Sequence, residues 1–144
     1  MEMLRVHSDF HAAHRQLEYP GKCRFIHGHT WKGTIVVSTT RFPRNELDMS
    51  IDFGDLKDCL RHLDHKLLVS EGDEGIICSG FEPEGLVVIP GKNPSVENVC
   101  WYCLGKVKDV IAGHYGGMNL DYHIEVTIQE TDNNIFSVTD DVVI

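Results

Sequence analysis

No apolar run in the 144 residues approaches the length that spans a bilayer, which excludes a membrane-spanning helix. The opening MEMLRVHSDF lacks the charged start, apolar middle and cleavage site of a secretion signal, and the chain reads as cytosolic. Basic charge is scarce. Thirteen Lys and Arg stand against 22 Asp and Glu, and no Lys/Arg-rich stripe appears, which argues against a nucleic-acid binder. An anionic substrate would need cations gathered locally, with Lys22, Arg24 and Lys32 as the candidates. Repeats, low-complexity tracts and internal linkers are missing as well, so residues 1–144 read as one domain.

Two signatures are present only in part. Cys100-Trp-Tyr-Cys103 has CxxC spacing, but no second such pair exists and both cysteines fall on the apolar stripe of a helix, where packing explains them. Gly85–Asn93 ends in Gly91-Lys92, yet it has five residues between its glycines and no Ser or Thr after the lysine, so it is not a phosphate-binding loop. Five cysteines, an odd count in a chain without a secretion signal, are read as reduced thiols.

What the chain has in excess is histidine, nine in all. Residues 3–14 alternate with the two-residue period of a half-buried strand, and His14 falls on the apolar parity of Leu4, Val6, Phe10 and Ala12. A second strand, from His27 to about Thr40, puts His27 and His29 on the parity of Trp31, Ile35 and Val37. The spacing predicts a helix over 53–63 capped by Asp52, a long connection over 70–94 holding a short strand at 86–89, and a longer helix capped by Ser95 and closed by Gly113. Two strands, 122–131 and the stretch after the turn at 132–134, finish the chain. The order β-β-α-β-α-β-β implies an α+β fold, with antiparallel hairpins and helices on one face.

Three neutral imidazoles converging on one side can hold Zn²⁺ and leave its fourth position open, the arrangement of a catalytic site. His14, His27 and His29 are the candidates; three satisfied core histidines are the alternative. Cys23, four residues before His27, is a candidate base or nucleophile or else an inert thiol. Asp64-His65 follows the first helix and reads either as a carboxylate–imidazole proton relay or as a solvated helix end. Glu130 continues the parity of Ile124, Val126 and Ile128, so it is a functional buried acid unless the strand has already ended.

These residues together resemble the 6-pyruvoyltetrahydropterin synthase / 6-carboxytetrahydropterin synthase family. The resemblance rests on FHAAH (Phe10–His14), CRFIHGH (Cys23–His29), IDFGDLK (Ile51–Lys57), LDH (Leu63–His65), NPSVE (Asn93–Glu97) and QET (Gln129–Thr131), in the family's order along nearly the whole chain. It implies a tunnelling fold, or T-fold: an antiparallel four-stranded sheet with two helices on one face, closed into a barrel by a trimer, two trimers stacking into a homo-oligomer. It also implies His14, His27 and His29 as Zn²⁺ ligands, Cys23 as the catalytic thiol, and Asp64 with His65 as its relay. Glu130 would anchor the pterin ring, with Ser95 and Glu97 at further ring contacts. The family more often has Thr where Ser95 stands, and residues 70–92 are longer than in its compact bacterial members. The implied reaction converts 7,8-dihydroneopterin triphosphate to 6-carboxytetrahydropterin, acetaldehyde and triphosphate. The Cys-x3-His-Gly-His spacing is similar to that of the queuosine-pathway branch. Pyruvoyl synthases more often carry two extra residues, which would put the cysteine at Gly21, and a folate branch has Glu where this chain has Arg24. A pyruvoyl synthase, or a zinc-binding T-fold protein without catalysis, is the alternative.

Overall fold

Two long strands open the chain because apolar and polar residues alternate along both. In the computed structural model, which describes residues 1–144, β1 (Glu2–His14) and β2 (His27–Thr39) pair antiparallel from Glu2↔Thr39 to His14↔His27. Then come α1 (Phe53–Arg61), β3 (Lys66–Ser70), the single turn α2 (Glu74–Ile77), β4 (Leu86–Ile89), α3 (Val96–Tyr115), β5 (Asp121–Thr131) and β6 (Asn134–Val143). The α+β class and the one-sided helices are as expected. No helix is long and apolar enough to cross a membrane.

The sheet has six strands, not four, in the order β4-β3-β1-β2-β5-β6. It is also mixed: β3 runs parallel to β1, from Ala12↔Lys66 to His14↔Leu68, and β4 runs parallel to β3. The extra strand β3 is KLLVS, buried on both faces from Leu68 to Ser70, so it lacks alternation and extends the apolar run of the helix before it. The one-turn α2 is a third helix, capped by Asp73, which accepts the Ile76 N–H at 3.3 Å.

Capping explains where the two main helices start. Asp52 accepts the Gly54 N–H at 2.6 Å and Ser95 accepts the Asn98 N–H at 3.3 Å. α3 continues past Gly113, where an end was expected, because Tyr115 packs against the core and donates to the Pro43 carbonyl at 3.0 Å. Interior glycines cost a helix about 1 kcal/mol each. Against Gly105 and Gly113 stand Val99, Cys100, Cys103, Leu104, Val107 and Ile111, all buried, and apolar side chains of this kind contribute about 1.5–3 kcal/mol each. Burial wins. The helix stops at Gly116, where a Cβ would lie 2.5 Å from the Ala112 carbonyl oxygen.

The core fills the space between the helices and one sheet face. Even-numbered residues of β1 (Val6, Phe10, Ala12, His14) and odd-numbered residues of β2 (Trp31, Ile35, Val37) point into it, joined by Ile124, Val126 and Ile128 of β5. Phe10 and Trp31 stack with ring centroids 5.6 Å apart. The opposite face carries His7, His11, Thr30, Thr34, His123 and Thr127, paired across strands by polar contacts.

Gly33 lies on the core face of β2, where an added Cβ would meet both methyl carbons of the fully buried Leu60 at 2.7 Å. Gly33→Ala should therefore destabilise the fold by about 1–3 kcal/mol, the usual cost of overpacking. Denaturant unfolding checks this, and an unchanged midpoint would show that Leu60 moves aside freely.

Candidate functional site

Three imidazoles meet at the end of the β1–β2 hairpin. His14 and His27 are direct cross-strand partners, and His29, two residues along β2, projects to the same face. Their ring centroids lie 4.7 Å (His14–His27), 5.2 Å (His14–His29) and 4.9 Å (His27–His29) apart. Trp31 forms the floor: its indole N–H donates to the Ala12 carbonyl at 3.1 Å, and its ring meets His14 and His29 edge-on.

Hydrogen bonding fixes two of the tautomers. His14 Nδ1 lies 2.7 Å from the Pro94 carbonyl oxygen, and His27 Nδ1 lies 2.7 Å from that of Phe25. A carbonyl only accepts, so each Nδ1 carries a proton, and in the neutral ring the lone pair then sits on Nε2. Burial holds the His29 pKa below its ordinary value, partly offset by Glu130, which favours the neutral ring. The Nε2 atoms of His14, His27 and His29 are all buried without a hydrogen-bond partner. Each such atom costs about 1–3 kcal/mol, and three together rival the lower end of a domain's net stability, about 5 kcal/mol.

Glu130 completes the group. Its Oε1 is 3.0 Å from His29 Nε2 and 3.5 Å from His14 Nε2, at angles that make no hydrogen bond, and one donor atom from each of the four residues falls within 4.8 Å of the others. Three neutral imidazole nitrogens and a carboxylate fit a borderline divalent transition metal.

A cavity of about 430 Å³ opens beside this group and is lined by Glu130, Ser95 and Glu97, all three residues expected at the ring contacts. Gln16, Asn133 and Phe136 line it too, and neither parity nor spacing singles them out. Glu130 is half-buried at the end of β5, with the inward parity expected of it. Cys23 lies in a 3₁₀ turn, Lys22–Arg24, half-buried and outside the four-donor group. Cys100 and Cys103 are fully buried, and burial pushes the Cys100 thiol up to about 12, in keeping with packing.

Asp64 and His65 come together but stand apart from the imidazoles. Asp64 Oδ1 accepts the His11 N–H at 2.7 Å, His65 N–H donates to the His11 carbonyl at 2.7 Å, and Asp64 Oδ2 meets His65 Nδ1 at 2.7 Å. The His65 ring packs edge-on to His11, whose side chain has the parity opposite to His14. In a single chain the sheet therefore separates this pair from the donor group. His65 has a left-handed backbone, φ 59°, the kind of strain that gathers at functional positions.

A sequence model of 6-pyruvoyl tetrahydropterin synthase matches residues 3–141. The chain belongs to the 6-pyruvoyl tetrahydropterin synthase family. Within that family it is similar to the 6-carboxy-5,6,7,8-tetrahydropterin synthase of Rickettsia conorii, 28% identical over 109 residues, 69% of this chain and 75% of the relative. It is 30% identical over 105 residues to the enzyme of that name from Rickettsia bellii, with the same shares covered. Among solved structures, a catalytic-residue mutant of Plasmodium vivax 6-pyruvoyltetrahydropterin synthase superposes with a TM-score of 0.68 at 21% identity, over 98% of each chain. The Caenorhabditis elegans 6-pyruvoyl tetrahydropterin synthase gives 0.58 at 24%, over 96% of this chain and 95% of the other. At such identities the structures speak for the fold, a T-fold.

The His11 amide, followed by His65, holds the Asp64 carboxyl below its ordinary value. A depressed folded pKa stabilises above the unfolded value, about 3.9, and the contribution is lost as pH falls through the folded value. Carboxyl-carbon NMR should thus place the Asp64 midpoint below that of an ordinary aspartate. A midpoint at or above it would contradict the His11 contact.

Proposed function

We propose that this chain is a Zn²⁺-dependent 6-carboxy-5,6,7,8-tetrahydropterin synthase. It would convert 7,8-dihydroneopterin triphosphate to 6-carboxytetrahydropterin, acetaldehyde and triphosphate, a step towards 7-deazaguanines such as queuosine. The observation that carries this reading is the convergence of three buried, partnerless Nε2 atoms beside a cavity lined by Glu130, Ser95 and Glu97. The relatives' names and the Cys-x3-His spacing favour the carboxy branch.

His14, His27 and His29 hold the metal. Bound there, Zn²⁺ supplies Lewis acidity toward the oxygens of the substrate side chain. Glu130 accepts the ring N–H and the exocyclic amino group of the pterin as a paired hydrogen bond. Ser95 and Glu97 bound the ring on the α3 side of the cavity. Cys23 moves a proton at the side-chain carbon. His65 is the second acid–base group: its Nδ1 is engaged by Asp64, which leaves Nε2 to exchange protons.

Because the sheet stands between His65 and the imidazoles of its own chain, the relay of one copy serves the metal of another. A homo-oligomer, stacked trimers in keeping with the family, meets that need. The sheet leaves suitable edges: β1 from Glu2 to His11 has no neighbour on the side away from β2, and β6 is unpaired beyond β5.

Protein purified without chelators should contain about one zinc per chain and release acetaldehyde from dihydroneopterin triphosphate. His27→Ala should lose metal and turnover together. Cys23→Ala should keep the metal and lose about 10²-fold in turnover, the scale of an acid–base group. A zinc-free, inactive wild type refutes the reading, and 6-pyruvoyltetrahydropterin without acetaldehyde moves the chain to the pyruvoyl branch.

Glu130 reaches both the imidazoles and the cavity, so its two possible roles separate by measurement. Glu130→Gln should retain zinc and weaken pterin binding by about 1–3 kcal/mol, because one acceptor of a charged pair becomes a donor. Zinc loss in this variant, with pterin affinity intact, would make Glu130 a metal ligand instead.

A further inference from the structure

The segment that carries Cys23 has no buried side chain of its own: every residue from 15 to 26 is half-buried or exposed. Packing therefore does not fix the thiol, and its place depends on polar pins. The loop is closed at its base by the Gln16 N–H, which donates to the Cys23 carbonyl at 2.9 Å. Its other pins come from the long 71–93 connection.

Asn93 makes the closest of these. Its Oδ1 accepts the Leu17 N–H at 2.6 Å and its Nδ2 donates to the Leu17 carbonyl at 3.2 Å, so one amide side chain pairs with both backbone groups of one residue, as a neighbouring strand would. The Asn93 carbonyl is itself held by Asn98 Nδ2 at 2.8 Å, which ties the pin to the first turn of α3. A second pin is the two-point contact of Arg15 with the buried Asp73, at 2.6 and 2.8 Å. The exposed Lys92–Glu18 pair at 2.9 Å adds little. The residue after Asn93 supplies the carbonyl that orients His14, so Asn93 stands between that carbonyl of Pro94 and the thiol loop.

We propose that Asn93 is a positioning residue that fixes the Cys23 thiol relative to the imidazoles, and that the 71–93 connection serves as the brace of this loop. The role assigned to Cys23 rests on the function proposed above; the bracing does not. Asn93 is neither one of the four donors nor a residue lining the 430 Å³ cavity, so its effect should fall on turnover and not on metal or pterin affinity.

The test uses full-length, zinc-loaded protein and the variants Asn93→Ala and Asn93→Asp. Amide exchange across 15–24 should quicken about tenfold in Asn93→Ala, the scale of losing such hydrogen bonds, while exchange across 4–13 and zinc content stay at wild-type values. The kcat should fall at least tenfold, with KM within about twofold. Asn93→Asp keeps the acceptor for Leu17 N–H and should fall between the two, and it carries the test should the alanine variant not fold. Unchanged exchange across 15–24 overturns the proposal, as does a raised KM with kcat preserved. A wild type without turnover would sink the proposed function, and the exchange measurement would still decide the brace.

Discussion

Three imidazole Nε2 atoms buried side by side, none with a hydrogen bond, form the constraint on which the rest of the structure depends. Their burial is deliberate. Trp31 closes the floor, carbonyls of Phe25 and Pro94 pull the protons to the far side of two rings, and desolvation keeps His29 neutral. Each device pushes the same way, toward lone pairs that need an electrophile. The Pro94 carbonyl is available only because α3 packs its apolar stripe on β5, so the hydrophobic core and the donor group are parts of one assembly.

The sheet also divides labour. Its helix-facing side at the end of the β1–β2 hairpin is polar where the rest is apolar, and there the imidazoles and Glu130 gather. Its other side carries Asp64 beside His65, and His65 and His11 line a large open cavity of about 970 Å³ together with part of the long connection. His29 of the donor group also lines that cavity, while the side chains of His11 and His14 point to opposite faces.

Much of this was legible in the residues. Parity alone put His14, His27 and His29 on the inward face, because a strand offers side chains only two directions and apolar neighbours mark which one is buried. Asp52 and Ser95 announced their helices by cap chemistry. Glu130 was reached by the same parity as Ile124 and Ile128. Other features left no trace. KLLVS looks like the tail of a helix until β1 and β4 are present to pair with it. Pro94 acts through a carbonyl that every residue possesses. Asp64 and His65 are adjacent in any fold, but which sheet face they occupy is settled by backbone bonds to His11, across more than fifty residues of chain.

The three imidazoles, the Phe25 carbonyl and Trp31 belong to a single local hairpin, residues 2–39, whereas the Pro94 carbonyl ahead of α3 and Glu130 at the end of β5 come from much later in the chain. Local hairpins form in microseconds, long before distant strands must meet. During synthesis the ligands thus emerge together from the ribosome while α3 and β5 do not yet exist. An ion captured then would staple the nascent hairpin and lower the entropic cost of the later pairing of β2 with β5. Under the metal-dependent function proposed above, ion supply during translation, and not only after it, would bear on how this chain reaches its native state.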